Sequence, residues 1–165
     1  MREKRYVVLD LFIIHAITDS NLDLFSKTVA VLRLIIDKCY TIILTNTLKS
    51  EYNKRMKELE REIKMKKRGV DINIALFKFL KRILTDGSKV EEVEEPSKEI
   101  PGEVNIPRDD LPIVRAALSR PTITTIVITT DRKDLVDNEA LINYLKRENP
   151  RALIIHIDDY TKLDP

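Results

Sequence analysis

Short runs of β-branched and aliphatic residues recur along this chain, each stopped by a polar residue or an acid, and they alternate with helical patterns. Residues 5–9 (RYVVL), residues 40–44 (YTIIL), the run ending at Val127 and Ile128, and ALIIHI before Asp158 are the clearest. Each is too apolar for a sheet with one face in water, so each reads as a strand buried on both sides. Between the first two, Leu22, Phe25, Val29, Leu32, Ile35 and Ile36 recur at three- and four-residue intervals, which predicts an amphipathic helix. A charged helix follows through KSEYNKRMKELEREIKMKKRG, with Gly69 as its stop. Another runs from about Ile72 to Leu84, one more opens at Asp109-Asp110, and a last spans about Asp137 to Glu148. This order predicts an α/β three-layer sandwich, a central parallel sheet of about four to five strands flanked by helices on both faces.

Two stretches lack such periodicity. LFIIHAITDSN (11–21) reads as a loop or irregular turn ending in the capping residues Ser20 and Asn21. Residues 88–107, rich in Glu and Pro, read as a long, flexible acidic surface loop. At 165 residues the chain suits one domain, 1–165, with a real core. Its apolar runs are too short to span a membrane, and MREKRYVVLD turns charged too early for a signal peptide, so the expected setting is the cytoplasm. Cys39 is the single cysteine, which excludes an intramolecular disulfide and a cysteine-built zinc site. The absence of Trp and Gln beside abundant Lys, Glu and Ile leans toward a thermophilic source. A net charge of +2 permits a nucleic-acid partner without demanding one.

In a parallel sheet the crossover helices run back against the strands, so strand carboxyl ends and helix N-termini share one edge. Asp10 and Asp131 directly follow strands, while Glu51 and Asp110 lie near helix starts. Topology alone therefore sends four carboxylates to one rim. Clustered carboxylates cannot all stay ionised unless a cation neutralises them, and hard oxygen donors suit Mg²⁺ or Mn²⁺. Such a site activates water for in-line attack on a phosphodiester. Asp10 and Asp131 are the expected direct metal ligands. Glu51 and Asp110 are expected to bind metal directly, through water, or to orient the attacking water.

These residues resemble the PIN-domain nucleases. The resemblance rests on an acid directly after the first strand (VVLD, Asp10) and a Glu early in a helix (LKSEY, Glu51). It also rests on DLPIVRAA, which matches at Asp110 rather than Asp109, and on VITTDRKDL, which matches at Thr129, Asp131 and Asp134. It implies a Mg²⁺- or Mn²⁺-dependent endoribonuclease with Asp134 and Thr129 as accessory residues. It further implies an RNA substrate, and the family's small members suggest an antitoxin-type protein partner and a homodimer. Phe12 departs from the pattern, since members usually carry a small polar residue there.

Rival chemistries lack their signatures. An Asp-nucleophile phosphatase needs a second Asp at position 12, three glycines supply no phosphate loop, and no Gly-x-Ser-x-Gly elbow is present. His15 and His156 read as structural. The alternative of another class is a catalytically weak PIN-like domain that binds RNA or protein, with Phe12 as its support. The basic positions Lys54, Arg55, Lys64, Lys66, Lys67 and Arg68 suit a phosphate backbone in either version.

Overall fold

A computed structural model describes residues 3–65 and 72–164. Five strands form one sheet: β1 (Tyr6–Leu9), β2 (Thr41–Thr45), β3 (Val90–Val93), β4 (Thr125–Thr129) and β5 (Ala152–His156). They are all parallel, in the order β3-β2-β1-β4-β5. β1 and β4 are buried along their whole length, as their uninterrupted apolar composition requires. Among the described residues six α-helices accompany the sheet: α1 (Phe12–Thr18), α2 (Leu22–Asp37), α3 (Asn46–Met65), α4 (Ile74–Thr85), α5 (Leu111–Leu118) and α6 (Glu139–Glu148). With the right-handed crossovers that parallel sheets favour, this strand order sends α1 to α4 to one face and α5 and α6 to the other, consistent with the expected three layers. No helix among the described residues is long and apolar enough to cross a membrane.

The helix caps follow local chemistry. Asn21 accepts from the Asp23 and Leu24 amides, Asn73 from Leu76, and Asn138 from Leu141, each satisfying donors that the first helical turn leaves free. Tyr52 fastens α3 to the sheet, its buried hydroxyl lying 2.8 Å from the Leu9 carbonyl and 3.0 Å from that of Asp10.

Three expectations need correction. The segment after Asp10 is the helix α1 rather than a loop. Phe12, Ile13, Ile14, Ala16 and Ile17 are all buried, so the helix is apolar on nearly every side and shows no amphipathic period. Residues 88–107 are not one continuous loop, because Val90–Val93 pair with β2 as the edge strand β3 and Gly102–Val104 form a 3₁₀ turn. Only Val93 of that strand is buried, and VEEV carries no alternation that would mark it. The final strand ends at His156, and Asp158 lies in the 3₁₀ segment Ile157–Leu163. The predicted stop at Gly69 lies outside the described residues.

β3 is tied to the rest of the sheet by Glu91. Its carboxylate accepts from Tyr6 Oη at 2.6 Å, Lys4 Nζ at 2.7 Å and Arg120 Nη2 at 2.7 Å. Burial pushes its pKa up, but these three donors outweigh burial and pull it from 4.5 down to about 2. A depressed carboxyl contributes stability that is complete above its unfolded value and lost as the pH falls toward its folded one. Glu91→Gln should therefore lower urea-measured stability at pH 7 by about 1–2 kcal/mol. The gap to wild type should close as the pH falls from 4.5 toward 2.

Candidate metal and phosphate site

The sheet order reverses between β1 and β4, since β1 leads outward to β2 and β3 whereas β4 leads to β5. Such a switch point opens a crevice at the strands' carboxyl ends. Asp10 and Asp131 border it. Leu9 is level with Ile128, and the Asp10 amide donates to the Ile128 carbonyl at 3.1 Å, so Asp10 lies beside Thr129. The Thr129 hydroxyl donates to Asp10 Oδ2 at 2.7 Å and accepts from the Asp131 amide at 3.0 Å. One side chain thus links the two strand ends. The Leu11 amide donates to Asp10 Oδ1 at 2.7 Å, so both oxygens of Asp10 are oriented by hydrogen bonds and keep lone pairs to spare.

After Asp131 the chain makes a π turn over Arg132–Val136, capped by Asp131 Oδ1 accepting from the Asp134 amide at 2.9 Å. This wide turn brings Asp134 back toward the strand end. Asp110 caps α5 by position only. Its side chain makes no capping hydrogen bond, and Pro112 fills a first-turn site where no amide is needed. One carboxylate oxygen from each of Asp110, Asp131 and Asp134 can be chosen so that all three lie within 4.8 Å of one another. Asp10 is not part of that compact group, although its charge reaches Asp110. The expected ligands Asp110 and Asp131 thus share a compact trio with Asp134, which the sequence marks as accessory.

Glu51 lies in the second turn of α3, half-buried. Burial raises its pKa, Asp109 raises it further, and Arg55 opposes the rise. The Asp110 carboxyl is driven from 3.8 up to about 6, by burial first and then by Asp10, Asp131, Asp134 and Asp109. No ion pair among the described residues engages Asp10, Glu51, Asp109, Asp110, Asp131 or Asp134. This donor set fits a hard divalent ion: all oxygen, anionic and lacking an internal cation.

Two acids here were not among the expected site residues. Asp109 is exposed and acts on both Glu51 and Asp110 through its charge. Glu95 stands two residues past β3, with Oε2 accepting from Thr47 at 2.7 Å and a buried Oε1 that faces Arg115 Nη1 at 3.8 Å without a hydrogen bond. The signal for Glu95 was the strand before it, and that strand was itself unmarked. Phe12 is 2% exposed and packs in the core, so it presents nothing to the acids. The basic positions do not form one stripe. Lys54 lines an open groove with Lys49 and Lys57, Arg55 lies on the α1 side of α3, and Lys64 is exposed farther along. Lys66, Lys67 and Arg68 lie outside the described residues. His156 caps the 3₁₀ segment after β5, accepting from the Asp158 amide, which suits a structural role.

No protein-family model matches this chain, and no curated protein or solved structure is detectably similar to it.

The raised Asp110 carboxyl has a pH consequence. Between 3.8 and about 6 the folded state holds its proton more tightly than the unfolded state, so this group's effect on stability worsens as the pH rises through that window. In EDTA, Asp110→Asn should raise stability at pH 8 by about 1 kcal/mol once solvent screening is allowed for, or about 3 °C in Tm. The gain should vanish near pH 4 and shrink when Mn²⁺ is added to both proteins.

Proposed function

We propose that this chain is a PIN-like, divalent-metal-dependent endonuclease that hydrolyses phosphodiester bonds in RNA. The observation that carries this reading is the trio Asp110, Asp131 and Asp134, gathered within 4.8 Å at the switch point with no cation paired to it among the described residues. Asp110, Asp131 and Asp134 would hold the ion, with Asp10 beside them. When bound, a Mg²⁺ or Mn²⁺ ion supplies charge neutralisation and acidifies a water molecule. Glu51 is suited to take a proton from the attacking water, because its half-buried carboxylate has a raised proton affinity and accepts no hydrogen bond among the described residues. Thr129 keeps the Asp10 carboxylate and the Asp131 backbone in fixed relation, so the acids need little reorganisation.

The alternative, a catalytically weak module that binds RNA or protein, draws support from Phe12, a buried apolar side chain two positions after Asp10 where the PIN pattern carries a small polar residue. Thr129 and the Leu11 amide supply hydrogen bonds to Asp10 in its stead.

Cleavage of a labelled single-stranded RNA separates the two. Wild type should cut with Mn²⁺ or Mg²⁺ and not in EDTA. Asp131→Asn keeps the Oδ1 that caps the π turn, so it should fold normally yet lose at least about a hundredfold in rate. Absence of both cleavage and metal binding in wild type would sink the nuclease reading in favour of the binding module.

A further inference from the structure

A groove of about 240 Å³ opens between α1 and α3, next to the acid rim. Its floor is aliphatic, formed by Leu11, Ile14 and Leu59. Its borders are polar: His15 from α1, and Arg55, Glu58 and Glu62 from α3. The groove and the acid site share a wall, because Leu11 lines the groove while its amide holds Asp10 Oδ1. Along α3, Glu51, Arg55, Glu58 and Glu62 recur at three- and four-residue spacing, so they form one stripe leading from the acid rim into the groove. Arg55 is thus one helical turn, about 6 Å, from Glu51.

A nucleobase is a flat apolar ring with hydrogen-bonding groups on its edge. An aliphatic floor suits its face, and the planar guanidinium of Arg55 and imidazole of His15 suit stacking. Carboxylates accept hydrogen bonds and cannot donate them; Glu58 accepts from Arg55 Nη1 at 3.3 Å, so Glu62, which pairs with no cation among the described residues, is the carboxylate that selects a base edge that donates. Guanine offers adjacent N1–H and N2–H donors, the geometry a single carboxylate accepts in pairs. We infer that this groove is a subsite for a nucleobase adjacent to the scissile phosphate, with guanine preferred. The inference deepens the nuclease reading and rests on it for the identity of the strand.

Titration of the intact protein with GMP in Mg²⁺, followed by backbone amide NMR, tests it without requiring catalysis. Ribose 5-phosphate, which has the sugar and phosphate but no base, is the control. GMP should shift the signals of Ile14, His15, Arg55 and Glu62, whereas ribose 5-phosphate should leave them in place. Glu62→Gln, a partly exposed position, should weaken GMP binding about tenfold. Equal shifts from both ligands, shifts confined to other regions, or unchanged binding by Glu62→Gln would each overturn the subsite. GMP binding in this groove by a protein that cleaves no RNA would instead overturn the nuclease reading and leave the base subsite standing.

Discussion

The structure depends on β1 being enclosed laterally by β2 and β4 and covered above and below by helices. Val7 and Val8 are wholly buried, as are Val127 opposite Val8 and Ile128 opposite Leu9, and this burial is what defines the parallel register. With each such side chain contributing about 1.5–3 kcal/mol, a slip of one residue would draw charged Arg5 or Asp10 into the buried span in place of an apolar residue. The register in turn sets Asp10 level with Thr129. A hydrophobic requirement at the centre of the sheet is therefore the cause of a polar contact at its rim.

The protein treats two of its carboxylates in opposite ways. Glu91 is surrounded by a lysine, an arginine and a tyrosine hydroxyl, and it holds its proton far more weakly than an ordinary glutamate. Asp110 is surrounded by other acids and holds its proton more strongly than an ordinary aspartate. Both are partly buried, so desolvation alone does not separate them; the neighbours do. The first arrangement closes a structural joint, and the second leaves charge to be compensated from outside. Stability given up at the rim is a common feature of sites that bind ions or phosphates.

Much of this was legible because burial writes itself into composition. β1, β2, β4 and β5 could be read from apolar runs, and the acids after β1 and β4 could be placed on one edge from parallel topology alone. What escaped reading escaped for identifiable reasons. α1 is too apolar to show a helical face, and β3 is an edge strand whose two glutamates and two valines follow no period. Missing β3 hid Glu95. The proximity of Asp134 to Asp131 arises from a π turn, whose five-residue hydrogen bonds leave no mark in residue type. Strand order, which decides that β4 rather than β3 adjoins β1, depends on pairing between segments far apart in the chain.

That distance has a consequence for the order in which the protein comes into being. Tyr6 pairs with Thr41 on one side and with Thr125 on the other, so the central strand stays half-paired until the last third of the chain is available. A polypeptide emerging from the ribosome carries Asp10 and Glu51 early, but has no Thr129 to link Asp10 to Asp131 and no π turn to bring Asp134 in. The carboxylates of the rim therefore repel one another only after the sheet that forces them together is nearly complete. Folding of the core comes before the electrostatic strain it must bear, and a truncated or stalled chain has no assembled rim.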